Sequence, residues 1–265
     1  MRGRHGELLW IYRALRRRFG PPALRPEAAT PLEVIVGAIL TQNTAWRNVE
    51  RAVAALKEAR LLSVRGLAGV PRARLARLVR PSGYFNQKTA ALKAFSRFLA
   101  RGYGGSLARM GREPTAALRE KLLAVRGIGP ETADSILLYA FDRPVFVVDA
   151  YTARVLSRHG IAAPRARYGD LQRLIAARIP RRRALYNEFH ALFVRVGKEF
   201  CRKTPRCGGC PLRQHRGAAG EGAAAPPKRR GGAGGGAGER GGREPGAQPP
   251  RSASSRRAKA GLIDR

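Results

Sequence analysis

Apolar residues recur at helical spacing through most of the chain. Near the start, Leu8, Ile11 and Leu15 fall on one face of a helix. Residues 30–33 (Thr-Pro-Leu-Glu) form a capping box with proline at the first helical position, and the run 34–40 is apolar on all faces, so it predicts a helix inside the core. Further helical patterns cover residues 48–61, 72–79, 88–99, 115–125, 131–141, 151–159, 168–177 and 183–196.

Two segments depart from this periodicity. Residues 145–148 (Val-Phe-Val-Val) resemble a strand, but the run is too short and isolated to build a sheet, so we predict an all-α fold. From residue 217 the chain consists largely of Gly, Ala, Pro and Arg, and it cannot bury a core. We therefore expect a folded domain over 1–216 and a disordered basic tail over 217–265.

The charge balance points to a polyanionic partner. The 265 residues include 52 Lys and Arg but only 18 Asp and Glu, for a formal net charge of +34. Residues 1–216 carry +28 of that charge, so the folded part is itself strongly basic. No run is long and apolar enough for a membrane span, and the N-terminus is not typical of a secretory signal, which favours the cytoplasm.

One segment combines a phosphate-binding turn with a carboxylate placed shortly after it. Residues 123–134 predict a helix, a tight turn at Gly127-Ile-Gly129 and a second helix that begins at Pro130. The two glycines let the backbone approach a phosphate, and the new helix directs free N–H groups toward it. A short apolar stretch then leads to Asp149. The combination indicates an enzyme that acts on nucleic acid.

The order of these motifs resembles the helix-hairpin-helix DNA glycosylases of the endonuclease III superfamily, over roughly residues 30–210. The wording of residues 81–88 (Pro-Ser-Gly-Tyr-Phe-Asn-Gln-Lys) is most similar to the branch related to 3-methyladenine glycosylases. The resemblance implies two helical lobes around a DNA cleft. One lobe would hold 30–142, and the other would join 1–29 to 143–216. It also implies a monomer that acts on damaged double-stranded DNA at the nucleoid.

The resemblance assigns roles to individual residues. Asp149 matches the catalytic aspartate, although an aspartate there could simply cap the next helix. Gln42, followed by Asn43, matches the side chain that fills the gap left by a flipped base; alternatively, both only end a buried helix. Lys88 would meet a phosphate, unless it is an ordinary loop lysine. The turn itself would bind phosphate through Gly127, Gly129 and Thr132.

Glu131 is the clearest departure from the family pattern. Members that also cut the strand carry a lysine at this position, and that lysine forms a Schiff base with the sugar. A carboxylate cannot form an imine, so we expect base excision with little or no lyase activity. The resemblance to the 3-methyladenine branch implies alkylated purines as substrates. The alternatives are a glycosylase with lyase activity for oxidised pyrimidines or mismatches, and a non-catalytic DNA-binding relative. Candidate pocket aromatics are Trp46, Tyr84, Phe85, Tyr186 and Phe189.

Three cysteines end the predicted domain. Cys201, Cys207 and Cys210-Pro-Leu resemble the family loop in which four cysteines hold a [4Fe–4S] cluster, but the fourth cysteine is missing. His215 is the nearby replacement. Three interpretations stay open: a cluster completed by His215 or an outside ligand, a degenerate site without metal, and a zinc site with three cysteines and one histidine.

Overall fold

The structure, a computed structural model, describes residues 4–22 and 30–215. Within these ranges the regular elements are helices and one 3₁₀ turn (Arg80–Ser82), which confirms the all-α prediction. The predicted tail at 217–265 lies outside the described residues. The helices are α1 (Arg4–Phe19), α2 (Pro31–Leu40), α3 (Trp46–Glu58), α4 (Val64–Gly69), α5 (Arg72–Val79), α6 (Phe85–Tyr103), α7 (Leu107–Met110), α8 (Thr115–Leu123), α9 (Pro130–Tyr139), α10 (Ala150–Arg158), α11 (Tyr168–Ala176) and α12 (Arg183–Glu199).

The capping residues fix where α2 begins. The Thr30 hydroxyl accepts a hydrogen bond from the Glu33 N–H at 3.2 Å, and Pro31 occupies the first turn, where its missing N–H costs nothing. Most of the helix that follows is buried, as its uniformly apolar sequence predicts. The end of α2 therefore projects Gln42 and Asn43 from a rigid support.

Buried apolar side chains form two clusters in the described residues. The first gathers side chains from Leu32 to Leu137, and therefore from α2 to α9. The second joins α1 to residues from Leu138 to Leu212. The chain passes between the clusters at the end of α9, so the hairpin belongs to the first and α10 to the second. Farther along the chain, Val145 packs against the first cluster, and residues 146–148 lie in the second.

The two hairpin glycines serve different purposes. Gly127 has φ +88°, and a Cβ there would lie 2.6 Å from the Cβ of Ala91 on α6. Gly129 has an ordinary φ of −92° and caps the N-terminus of α9, where a Cβ would meet nothing within 4 Å. Gly127 thus allows the turn to pack against α6, while the side-chain position of Gly129 at the start of α9 is open.

Candidate active site

Asp149 caps α10 and is mostly buried. Its Oδ1 accepts a hydrogen bond from the Thr152 N–H at 2.7 Å, and its Oδ2 lies 3.6 Å from Nε2 of His190. Burial alone would raise the pKa of this carboxyl, but His190 and the Thr152 N–H outweigh it, so the pKa of Asp149 is lowered from the usual 3.8. The group is therefore both a helix cap and a carboxylate that stays ionised at neutral pH.

A buried hydrogen-bond network holds the segment that leads to Asp149. Asp134, fully buried in α9, accepts hydrogen bonds from the Tyr168 hydroxyl and the Gln172 amide, both at 2.8 Å. Tyr168 Oη in turn accepts from the Val148 N–H at 3.4 Å, and Gln172 donates to the Phe146 carbonyl at 2.7 Å. The Tyr168 and Gln172 groups that bind Asp134 thus also hold residues 146–148 in place.

Arg119 completes the same network from the first helix of the hairpin. Its guanidinium binds both oxygens of Asp134, at 2.6 and 3.0 Å. Planar two-point pairing of this kind fixes orientation as well as charge. The hairpin helices α8 and α9 are therefore tied, through one carboxylate, to the approach to Asp149.

Glu131 lies in the first turn of α9 and faces solvent. Partial desolvation and the negative charge of Asp149 raise its pKa from the usual 4.5, and only the nearby His190 works against this. The site therefore contains two carboxyl groups whose pKa values are shifted in opposite directions. Such separation is typical of carboxyl pairs that divide catalytic work between them.

His190 is the site residue that the sequence reasoning missed. It lies on α12, and its Nδ1 is 2.5 Å from the hydroxyl of Tyr139 at the end of α9. From the sequence we would class it as a structural histidine, because it has no metal-ligand spacing to another histidine. Only the packing of α12 against α9 and α10 brings it to Asp149, so no local motif could have revealed it.

Gln42 lies against the hairpin. Its amide donates hydrogen bonds to the Gly127 carbonyl and to the Thr132 hydroxyl, both at 3.0 Å. Asn43 follows in the left-handed region with φ +53° and is exposed. The structure thus brings together four of the predicted DNA-binding residues: Gln42, Asn43, Gly127 and Thr132. Their predicted roles toward DNA stay predictions.

The expectation for Lys88 needs correction. Lys88 is buried in the first turns of α6, and its ammonium donates to the Ser82 carbonyl. Burial also lowers its pKa. The side chain points into the protein and closes the turn around Gly83, so it is not placed to meet a phosphate. Sequence spacing gave the correct turn but not the direction of this side chain.

Two of the predicted pocket aromatics are misplaced as well. Tyr186 and Phe189 lie in the second apolar cluster with at most 1% of their surface exposed. Phe85 packs against the first cluster. In contrast, Trp46 and Tyr84 are exposed by 47% and 64%. These two aromatics are the ones available to a base or a sugar, because the others are consumed by core packing.

The cysteine loop does not form a metal-ligand set. Cys201 is buried, Cys207 is exposed and Cys210 is partly buried, and burial, together with the nearby Cys201 and Cys207, raises the pKa of the Cys210 thiol. Across residues 4–22 and 30–215, no group of three or more Cys, His, Asp or Glu is placed to hold a metal ion. The three alternatives for this loop, a [4Fe–4S] cluster, a zinc site and a site without metal, therefore stay predictions.

Other side chains contact the cysteine loop and His215. Nη1 of Arg158 lies 3.4 Å from the sulfur of Cys201 and 2.6 Å from the Arg202 carbonyl, and Nη2 donates to the Lys203 carbonyl at 2.9 Å. His215 lies 3.1 Å from a Glu7 oxygen and packs beside a second histidine and a tryptophan. The predicted ligand role of His215 is therefore not supported, and a guanidinium braces the loop.

Comparisons with known proteins agree with this architecture. Residues 36–181 match the family described as HhH-GPD superfamily base excision DNA repair protein. The Methanocaldococcus jannaschii protein named "Putative DNA repair glycosylase MJ1434" is 43% identical over 206 residues, which cover 77% of this chain and 93% of that protein. Endonuclease III of Thermotoga maritima is 28% identical, over 70% of this chain and 82% of its own length.

Two solved structures share the fold. The H. pylori 3-methyladenine DNA glycosylase MagIII, bound to 1,N6-ethenoadenine, has a TM-score of 0.65 and 30% identity, covering 73% of this chain and 98% of that one. A non-covalent endonuclease III–DNA complex has a TM-score of 0.68 at 20% identity, covering 80% and 94%. Its likeness shows the fold alone.

An all-helical fold in which a glycine hairpin is followed by a helix-capping aspartate is typical of a class of base excision repair enzymes. The chain belongs to the HhH-GPD superfamily of base excision DNA repair proteins. This confirms the superfamily prediction and the coarser functional one, a DNA glycosylase. None of the helices in the described ranges is long and apolar enough to cross a membrane.

Proposed function

We propose that this protein is a monofunctional DNA glycosylase that removes alkylated purines from double-stranded DNA and acts as a monomer. The observation that carries the proposal is Glu131, a carboxylate beside Asp149 where enzymes with lyase activity hold an amine. Lys121, the lysine nearest to the hairpin turn in sequence, is bound to Glu113 at 2.5 Å. The likeness to MagIII, named for 3-methyladenine, supports the substrate class.

The two carboxylates suit a dissociative hydrolysis. When the bond between the sugar C1′ and the purine nitrogen breaks, its electron pair leaves with the base, and an alkylated cationic purine departs as a neutral molecule. Asp149, whose pKa is low, stays ionised and stabilises the positive charge that develops on the sugar. Water then adds to C1′ and loses a proton to Glu131, the more basic carboxylate of the pair. The products are a free base and an abasic site.

Several groups on and near the hairpin are suited to bind the DNA backbone. The open N-terminus of α9 at Gly129 offers N–H groups to a phosphate, and Gln42 lies beside it on the hairpin. Beside the hairpin, α6 and α8 enclose a shallow pocket of about 380 Å³ whose lining includes Arg97, Arg101 and Arg126. These arginines extend the positive surface from the hairpin, as backbone binding requires.

A lesion panel tests the proposal. Duplexes that contain 3-methyladenine, 7-methylguanine, 1,N6-ethenoadenine, thymine glycol or uracil are incubated with the protein, and products are resolved with and without hot alkali. We expect breaks at alkylated purines only after alkali and none with Asp149→Asn. Breaks without alkali would instead support the lyase alternative, and breaks at oxidised pyrimidines would refute the substrate class. No excision at all would favour the binding-only alternative.

The lysine position gives a sharper test of the missing lyase step. Glu131→Lys places an amine in the first turn of α9, beside the ionised Asp149. We expect borohydride to trap a covalent complex between this variant and abasic DNA, whereas the wild type and Glu131→Gln give none. A trapped complex with the wild type would contradict the proposal, because another amine would then reach the sugar.

A further inference from the structure

The hydrogen-bonding state of His190 follows from its two neighbours. Tyr139 is partly buried, and desolvation together with the charge of Asp149 raises its pKa, so its hydroxyl keeps its proton at neutral pH and can donate it. That hydroxyl lies 2.5 Å from Nδ1 of His190. A neutral imidazole that accepts at Nδ1 carries its proton on Nε2.

The other ring nitrogen faces the candidate catalytic carboxylate. Nε2 of His190 is buried and has no hydrogen-bond partner within the described part of the chain, and Oδ2 of Asp149 lies 3.6 Å away. That gap is slightly longer than a hydrogen bond. Catalytic hydrogen bonds are often long in the free enzyme and shorten when substrate is bound.

The surroundings leave Asp149 as the acceptor for this proton. The titratable groups that face His190 are Tyr139 and Glu131 from α9 and Asp149 from the start of α10. The opposite edge of Asp149 is already held by the Thr152 N–H. An N–H of His190 would therefore hold the remaining oxygen and fix the plane of the carboxylate.

We propose that His190 is a positioning residue for Asp149: Tyr139 holds the imidazole in the tautomer whose Nε2–H faces the carboxylate. Its catalytic consequence rests on the proposed glycosylase function. Tyr139, His190 and Asp149 lie in a row like the groups of a proton relay, but the proposed role requires no proton transfer between them. Tyr139 orients His190, and His190 keeps Asp149 ionised and aimed at the sugar.

The tautomer can be measured without any substrate. In protein labelled with ¹⁵N-histidine, the spectrum of the His190 ring, assigned by its loss in His190→Gln, should show Nε2 protonated and Nδ1 not. Tyr139→Phe should remove this preference. Tyr12→Phe is the matched control, because its hydroxyl donates to Glu188 on the same helix at 2.7 Å and does not contact His190. A ring protonated on Nδ1 would overturn the proposal.

Single-turnover excision of an alkylated purine supplies the second readout. We expect His190→Ala to lower the rate by about tenfold to a hundredfold, with an unchanged dissociation constant for abasic DNA, and His190→Gln to recover part of the rate. Because His190 lowers the pKa of Asp149, its loss should move the acid limb of the pH–rate profile to higher pH. An unshifted limb, or a parallel loss of binding and folding, would indicate a merely structural role and refute the proposal.

The two readouts separate the two proposals. If the wild type excises no lesion, the proposed function fails, while the ring spectrum still decides whether His190 presents its proton to Asp149. If the wild type excises but the spectrum shows the opposite tautomer, the function stands and the role of His190 falls.

Discussion

The hairpin glycines offer a matched pair of substitutions that separates folding from DNA binding. Gly127→Ala places a methyl group 2.6 Å from Ala91 Cβ while φ is +88°. The left-handed backbone costs about 1–2 kcal/mol for an alanine, and overpacking against α6 adds about 1–3 kcal/mol. Alanine also restricts the unfolded chain more than glycine does, and this stabilises the folded state by about 0.4–1 kcal/mol. We expect a net loss of roughly 2–4 kcal/mol in the free energy of unfolding.

Gly129→Ala should behave in the opposite way. The new methyl group meets nothing within 4 Å and φ is ordinary, so the cost is limited to a weaker N-cap, about 1 kcal/mol or less. Under the proposed function a phosphate approaches this helix end, and the methyl group adds bulk there. We expect the dissociation constant for DNA to rise about tenfold, equivalent to about 1.4 kcal/mol.

Two assays measure the effects of the two glycine substitutions. Urea unfolding followed by circular dichroism gives stability, and fluorescence anisotropy with a duplex that carries an abasic-site analogue gives affinity at one fixed salt concentration. If Gly127→Ala were as stable as the wild type, the close packing of the turn on α6 would not be real. If Gly129→Ala bound DNA as tightly as the wild type, the open helix end would not be a phosphate site.

Further predictions concern the buried network, the cysteine loop and the carboxylate pair. Asp134→Ala removes the fully buried partner of a guanidinium and should lower the free energy of unfolding by roughly 3 kcal/mol in urea denaturation. Arg158→Ala removes the hydrogen bonds that hold the cysteine loop and should lower the free energy of unfolding by about 1–3 kcal/mol. Cys207→Ser and treatment with an iron chelator should both leave the thermal midpoint near its wild-type value. A large shift with either would instead support a bound metal. Because the pKa of Glu131 is raised in the folded state, its ionised form destabilises the fold. Glu131→Gln should therefore be more stable than the wild type at pH 7, and the difference should vanish as the pH falls below 4.5. A difference in stability that does not change with pH would contradict the pKa shift.

Local patterns predicted the elements well, and tertiary contacts decided the rest. The helices and the Gly127–Gly129 turn follow from side-chain periodicity and from residues with special backbone freedom, both visible over a few positions. Lys88 and His190 show the boundary of that reasoning. Whether a lysine points outward, or a histidine meets an aspartate, depends on how separate helices pack, and a single sequence does not carry that information in any short window.

The cysteine loop shows a further limit of reasoning from local sequence patterns. The cysteine spacing is typical of a metal loop, but ligand sets depend on every member being present and aimed inward. With one cysteine missing, Arg158 occupies the space beside Cys201, and the loop is held by hydrogen bonds to carbonyl groups. Whether the loop also binds a metal is decided by the chelator measurement described above.

The Asp134 network fixes the position of the hairpin relative to Asp149. Since α8, α9, α11 and residues 146–148 all meet at one buried carboxylate, the spacing between the phosphate-binding turn and Asp149 is set by the protein rather than by the DNA. If the turn binds a backbone phosphate as proposed, that phosphate sets which sugar reaches Asp149. Strands whose backbone spacing is altered beside the lesion would be presented out of register, whatever base they carry.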